Sequence, residues 1–374
     1  INYLLAKNYM RSKTFSLLFI LIIFLALVLR IYSIDSIPGF NHNGLHAEPL
    51  QGDEPTFYEL GKHVFLGDGP VEFFIWNLWS HEKVPHLNSF YPPFYPYTIG
   101  SLFYLFGESS FILRVFSLVI SLLTVFLVGI FGSKIYDKKV GLFAMFLIAI
   151  NPTHVFNSGL IMKETIFTLL VFIFLTFFYF AIKTNRLIFW LLSGIFLGIS
   201  TITNYFGFVL LAITIIILFW ERRKIKIKSA IFSLILFFII IFPVGIQTYK
   251  EFGTPFHSDL TYYKYTEDYR RSYYEQDHPT LSSFLKSSFS EKVSPRLFGF
   301  GRILVTLPRL FTPIILLFVF LSVLFLDRFI LINLISFILF VIVLIFATGP
   351  SYLIGEKYFI LFLPSMLILA SVSF

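Results

Sequence analysis

Gln51-Gly52-Asp53-Glu54-Pro55 is a carboxylate pair in the first long polar loop, and it follows an apolar run at about 14 to 32 that is long enough to cross a bilayer. A greasy span leading into an acidic loop suggests a membrane scaffold that holds charged side chains at one face. Pro55 suits the first turn of a short helix running to about Phe65, because the N–H it lacks is not needed there. Asp53 then stands just before that helix, where unpaired backbone donors and the positive end of the dipole favour its ionised form. Such a residue can act as a fixed base or a cation ligand, or it can simply cap the helix.

The rest of the chain agrees with a membrane setting. Its 374 residues are 57% hydrophobic and 13% charged, with a mean hydropathy of +0.82, which describes an all-α polytopic membrane protein rather than a soluble enzyme. The net charge of +8 lies between apolar runs, so it speaks for orientation in a bilayer and not for nucleic acid. With no cysteine, disulfides and thiolate metal sites are excluded. The chain begins at Ile1 and stops at Phe374 inside an apolar run, so the gene product is expected to extend beyond one or both ends.

Further apolar runs lie at roughly 109 to 133, 140 to 157, 164 to 182, 187 to 203, 206 to 220, 229 to 249, 303 to 326, 329 to 347 and 357 to 374, giving about ten spans in a single domain over 1–374. Arg11 to Lys13, Lys134 to Lys139, Lys183 to Arg186, Glu221 to Lys228 and Asp327-Arg328 are short and basic, and alternate connections then share one, cytoplasmic, side. The first outer loop, about 33 to 108, and the long loop at about 250 to 302 face the other way, with the turns near 158 to 164, at 204 to 205 and at 348 to 356. Residues 91 to 106 are apolar, but Pro92, Pro93 and Pro96 crowd their start, which fits an interfacial or re-entrant helix within that loop. Phe73, Phe74, Trp76 and Trp79 suggest helices at headgroup level. Gly67-Asp68-Gly69-Pro70 reads as a helix C-cap. The tyrosine-rich segment Thr261 to Tyr274 could stack on a sugar or a peptide, or form an interface belt.

Several charged groups join Asp53 and Glu54 on the outer side. Met162-Lys163-Glu164-Thr165 begins a span, and an ionised pair at a membrane boundary is costly unless solvated or paired. Arg114, one turn inside its span, needs an anionic partner or access to headgroups, and a phosphate suits its planar fork. Lys62, Lys357 and Arg270-Arg271 lie towards the same face. His42, His46, His63, His81 and His86 crowd the first loop, but Gly44 argues against a helix that would set His42 and His46 as metal ligands.

Gly52-Asp53-Glu54, Tyr91-Pro92-Pro93-Phe94, Gly107 and Arg114, in this order, resemble the GT-C superfamily of membrane glycosyltransferases, in particular its protein O-mannosyltransferase and aminoarabinose-transferase branch. The series continues through Asn151-Pro152, Lys163-Glu164, Gly198-Ile-Ser-Thr-Ile-Thr-Asn-Tyr-Phe-Gly207, Gly253-Thr-Pro255 and Lys357-Tyr-Phe-Ile-Leu-Phe-Leu-Pro364. It departs from the family at Asn204, where a basic residue is common, and at Lys357, where an arginine is. The soluble domain that many members carry lies outside these residues, which leaves the acceptor open. The resemblance implies an inverting glycosyltransferase, moving a sugar from a polyprenyl-phosphate donor to a hydroxyl of a protein, glycan or lipid at the outer face of a membrane, a prokaryotic cell membrane before the ER. It implies Asp53 as base, Glu54 as its neighbour, and Glu164 as a second carboxylate that orients a substrate or shares a divalent cation (Mg or Mn) with Asp53. Arg114, Lys163, Lys357 and Lys62 are expected at the donor phosphate, and Tyr58, Asn204, Arg270 and Arg271 at the sugar or acceptor. Two other readings stay open: a non-catalytic subunit of an assembly with other membrane subunits, and a transporter of lipid-linked sugars, for which inverted repeats and mid-membrane broken helices are expected.

Overall fold

The computed structural model describes residues 12–35, 52–73, 84–88, 90–259, 262, 265, 277, 279–347 and 355–374. In chain order the helices are α1 (Ser12–Asp35), α2 (Glu54–Leu66), α3 (Phe94–Phe106), α4 (Ser110–Ile135), α5 (Lys138–Ile150), α6 (Pro152–Asn157), α7 (Lys163–Thr184), α8 (Leu187–Thr203), α9 (Gly207–Glu221), α10 (Ile227–Phe252), α11 (Leu281–Lys286), α12 (Phe289–Phe311), α13 (Pro313–Leu321), α14 (Arg328–Ala347) and α15 (Leu363–Ser373). Between α2 and α3, strand β1 (Val71–Glu72) pairs antiparallel with β2 (His86–Leu87), with Glu72 opposite His86.

Local chemistry explains where these helices start and stop. Gly67 closes α2 in the left-handed region, φ 95°, donating its N–H to the His63 and Val64 carbonyls, as the C-cap reading expects. Asp137 starts α5 by accepting the Lys139 and Val140 amides, and Asn151 starts α6 by accepting that of His154. Asn185 ends α7 in the left-handed region, and its amide bridges to Lys224 O and Lys226 N.

Of the ten expected spans, five are single helices long and apolar enough to cross a bilayer: Lys13–Ile34, Ser110–Ile135, Lys163–Thr184, Ile227–Phe252 and Arg328–Phe346. The other runs differ from expectation. That at 140 to 157 is two helices, because Asn151 and Pro152 close α5 and open α6. That at 303 to 326 is bent by 96° between Phe311 and Pro313, and its first arm, α12, reaches back into what reads as loop. The runs at 187 to 203 and 206 to 220 form the shorter apolar helices Leu187–Thr203 and Gly207–Glu221, and the last run opens with 3-10 turns at Glu356–Tyr358 and Ile360–Phe362 before α15. Residues 94 to 106 form α3, packed along α2 as a helix of the first loop.

The bundle is built around α7. Its spanning window is 89% buried, against 22% for α1 and 33% for α10, so α7 is the post and the others stand around it. Phe172, Phe174, Phe178 and Trp190 fill the main core, and α8 approaches α10 so closely that a Cβ on Gly194 would lie 2.2 Å from Ser233 O. A second apolar cluster, Phe57, Tyr95, Ile99, Phe103, Leu113, Ile161, Ile166 and Leu170, fastens α2 and α3 to the starts of α4 and α7. The basic connections gather at the opposite end. Phe329 meets both Tyr136 and Tyr179, Asn185 bridges to Lys224 and Lys226, and Arg328 lies 3.9 Å from Glu221. The exposed flanks are apolar, as in Ile20, Phe24 and Phe242, so the chain is a multi-pass integral membrane protein.

Candidate active site

Asp53 is the residue that caps α2, but its side chain does not take the expected backbone bond. Its backbone is in the right-handed helical region, φ −85°, ψ −4°, not the extended one that aims a capping side chain, and Pro55 has no N–H to offer. The carboxylate instead meets Lys357, 304 positions further along the chain, with Nζ 3.3 Å from Oδ2. Both are partly exposed, at 35% and 42% of their side chains, so the pair opens to the medium.

Lys163 and Glu164 come to the same place as the first turn of α7. Both are buried, and Glu164 Oε2 has no hydrogen-bond partner among the described residues. A carboxylate oxygen buried without a donor is costly unless something completes it. Lys163 Nζ rests over the faces of Tyr91 and Phe57, 4.1 and 5.6 Å from the ring centroids. Two phenols close the group. Burial holds the Tyr91 hydroxyl well above its ordinary pKa, and Asp53, Glu164 and Tyr358 push the same way. Burial does the same for Tyr358, with Lys357 opposing and Glu164 and Asp53 adding to it. Both phenols therefore stay protonated donors at neutral pH. Burial pulls the Lys357 ammonium down, but Tyr358, Asp53 and Glu164 outweigh it, so the net shift is upward and the charge is kept.

Glu54 and Arg114 are placed differently from expectation. Glu54 is 1% exposed and accepts from Arg114 Nη1 at 3.1 Å, from Arg114 Nη2 at 3.4 Å and from the Ile161 amide at 2.7 Å. Arg114 also donates to Gly159 O at 2.5 Å, so its fork is taken by protein acceptors. The anion that Arg114 needs is thus Glu54, and the two together tie the start of α2 to the turn before α7. Lys62 and Tyr58 turn to Glu108, at 3.0 Å each, and the Glu108 bond raises the pKa of Lys62. Asn204 shapes the turn between α8 and α9, accepting from Phe206 N at 3.2 Å. Arg270 and Arg271 lie outside the described residues, as do Phe74, Trp76, Trp79, His42, His46, His81 and nearly all of the 261–274 segment.

Asp53, Lys163, Glu164 and Lys357 thus form one group, and sequence reasoning left out the phenols around it, although Tyr91 stands in the Tyr-Pro-Pro-Phe motif and Tyr358 adjoins Lys357. Among the described residues no three His, Asp or Glu side chains are grouped to hold a metal ion. A cation beside Asp53 has only two carboxylates to draw on, one of them already paired with Lys357.

The family model for dolichyl-phosphate-mannose-protein mannosyltransferase matches residues 91–246, less than half of the chain. No curated protein matches in sequence. Among solved structures, ArnT from Cupriavidus metallidurans in the apo state is similar with a TM-score of 0.61 at 14% identity, over 95% of this chain and 59% of that one. The same protein bound to undecaprenyl phosphate gives 0.57 at 13% identity, over the same shares. The oligosaccharyltransferase AglB from Archaeoglobus fulgidus, in complex with an inhibitory peptide and a dolichol-phosphate, gives 0.66 at 14% identity, over 96% of this chain and 50% of that one. The chain therefore spans between half and three fifths of the length of these structures. At such identities the likeness speaks for the fold, and it does so along nearly the whole chain. Taken with the family match, it identifies the chain as a membrane protein of the GT-C glycosyltransferase fold.

Proposed function

We propose that the chain is an inverting glycosyltransferase that moves a sugar from a polyprenyl-phosphate carrier to a hydroxyl on a protein, glycan or lipid, at the outer face of a prokaryotic cell membrane. One observation carries the reading: Asp53 and Lys357, far apart in sequence, meet in an open ion pair beside the buried Lys163 and Glu164. Asp53 takes the proton of the acceptor hydroxyl, whose oxygen attacks the anomeric carbon from the side opposite the phosphate. The bond from that carbon to the phosphate oxygen breaks, and its electron pair leaves with the polyprenyl phosphate. Attack opposite the leaving group inverts the configuration.

Lys163 has no ion pair among the described residues, so its N–H groups are available to the phosphate oxygens as charge builds on them. Lys357 pairs with Asp53 and supports the same charge. Glu164 accepts from a substrate hydroxyl through its unpartnered oxygen. Because Lys357 already supplies positive charge beside Asp53, we assign Glu164 to the substrate rather than to a shared Mg or Mn ion. The family match and the likeness to proteins solved with undecaprenyl phosphate and dolichol-phosphate support a lipid-linked donor.

The test is transfer of radiolabelled sugar from polyprenyl-phosphate donors in membranes carrying the protein. Asp53→Asn is expected to lower the rate by about 10² to 10⁴, the usual contribution of a positioned base. Unchanged transfer in that variant would remove Asp53 from the chemistry. No transfer by the unaltered protein from any such donor, with other subunits copurifying in fixed ratio, would favour the non-catalytic subunit.

A further inference from the structure

Four helices meet at a cation with no acid beside it among the described residues. Arg30 is fully buried in α1, with Nε 2.7 Å from Ser121 Oγ of α4, Nη1 3.0 Å from Ala26 O and 3.1 Å from Ala149 O, and Nη2 2.7 Å from His154 Nδ1 of α6. No described carboxylate pairs with it. Guanidinium nitrogens only donate, so His154 Nδ1 must be the bare, accepting nitrogen and the imidazole is neutral. A buried charge with no described counter-ion is retained at a cost.

What it holds is α6. Beside His154, Thr153 Oγ1 donates to Glu356 Oε2 at 3.2 Å, one residue before Lys357. Asn157 O accepts from Thr165 Oγ1 at 3.0 Å, one residue after Glu164. Asn151 Nδ2 reaches Leu310 O at 2.8 Å, and the turn after α6 supplies Gly159 O and Ile161 N to the Arg114 and Glu54 tie beneath Asp53. Six residues of helix and the turn behind them therefore touch the segments that carry Glu54, Arg114, Glu164 and Lys357. Their anchor towards the first span is the bond between Arg30 and His154.

We propose that His154, held by Arg30, is a positioning residue: it sets α6 so that Lys357, Asp53 and Glu164 stay in register. It touches no substrate. The effect on transfer rests on the glycosyl-transfer reading above, whereas the effect on geometry does not.

The test uses the whole protein in detergent or nanodiscs and compares His154→Asn, whose amide oxygen stands where Nδ1 does and can still accept from Arg30, with His154→Leu, which cannot. Lysine labelling with an amine-reactive reagent, read by mass spectrometry, is the first measurement. In His154→Leu, Lys357 is expected to label about three- to tenfold faster as its pairing with Asp53 loosens, while the remote, exposed Lys139 and Lys226 keep their rates and His154→Asn behaves as the unaltered protein. Unchanged Lys357 labelling in His154→Leu overturns the proposal. So does an equal rise at all three lysines, which signals general loosening, and so does equal behaviour of the two variants. The second measurement is affinity for undecaprenyl phosphate as a probe. His154→Leu should weaken it about tenfold in the unaltered background and less than twofold once Lys357→Ala is present; an equal loss in both overturns the proposal. If the unaltered protein binds no polyprenyl phosphate, the functional reading fails, and the labelling result decides the positioning role alone.

Discussion

Breaking the tie between Glu54 and Arg114 should cost more than any surface change on this protein, and the cost should be shared between the two. Glu54 is 1% and Arg114 5% exposed, so removing either leaves the other as a buried charge without its ion partner. Glu54→Ala takes two acceptor contacts from the guanidinium, which keeps Gly159 O, and Arg114→Ala takes both guanidinium donors from the carboxylate, which keeps the Ile161 amide. Losing one partner of a buried pair costs roughly 3–5 kcal/mol. The double variant removes both charges, so it should cost about as much as one single variant and not the sum, giving a coupling of about 3 kcal/mol. The assay is thermal or denaturant unfolding in detergent for the two single variants, the double variant and the unaltered chain. Additive costs would refute the reasoning, because they would mean that the two charges do not depend on each other. Transfer should fall in all three variants, since the same tie places Asp53 against the turn that leads to Lys163.

Two further outcomes follow from particular contacts. Burial, opposed by the Asn88 bond and assisted by Asp259, pushes the Glu72 carboxyl up from 4.5 to about 7, and His86 also faces it across the β1–β2 pair. The folded state then holds the proton more tightly, so the stability of this hairpin should fall as pH rises from about 4.5 to about 7, by on the order of 3 kcal/mol at most. The difference in hydrogen exchange at residues 86–90 between the unaltered protein and Glu72→Gln should grow across that window, and a constant difference would contradict it. Gly194→Ala drives a Cβ to 2.2 Å from Ser233 O on α10, which cannot retreat without moving its helix, so unfolding in detergent should show a loss of about 1–3 kcal/mol.

Much of this architecture was legible in the chain, and the failures have physical causes. Span length and hydropathy are properties of a single segment, so α1, α4, α7, α10 and α14 stand close to where their apolar runs lie. Breaks inside a run are quieter: Asn151-Pro152 announces one, but nothing in Phe311-Thr312-Pro313 conveys a turn of 96°. Asp53, Lys163, Glu164 and Lys357 could be picked out because charge at a membrane boundary is conspicuous. Which charges pair with which could not, because a partner's identity depends on tertiary contact. Arg114 and Lys62 were therefore expected at a phosphate with no sign of the partners they have here, Glu54 and Glu108. Arg30 went unmarked for the same reason: its value lies in Ser121, Ala149 and His154, more than 90 residues further on.

The enclosure of α7 has a consequence for how this protein meets its surroundings. Lipid tails press on α1, α10 and the other outer helices, but they scarcely reach the central post from which Lys163 and Glu164 project. A thicker or thinner bilayer can tilt the outer ring and leave the central post upright. The charges at the start of α7 are thereby insulated from the fluctuations of the surrounding bilayer.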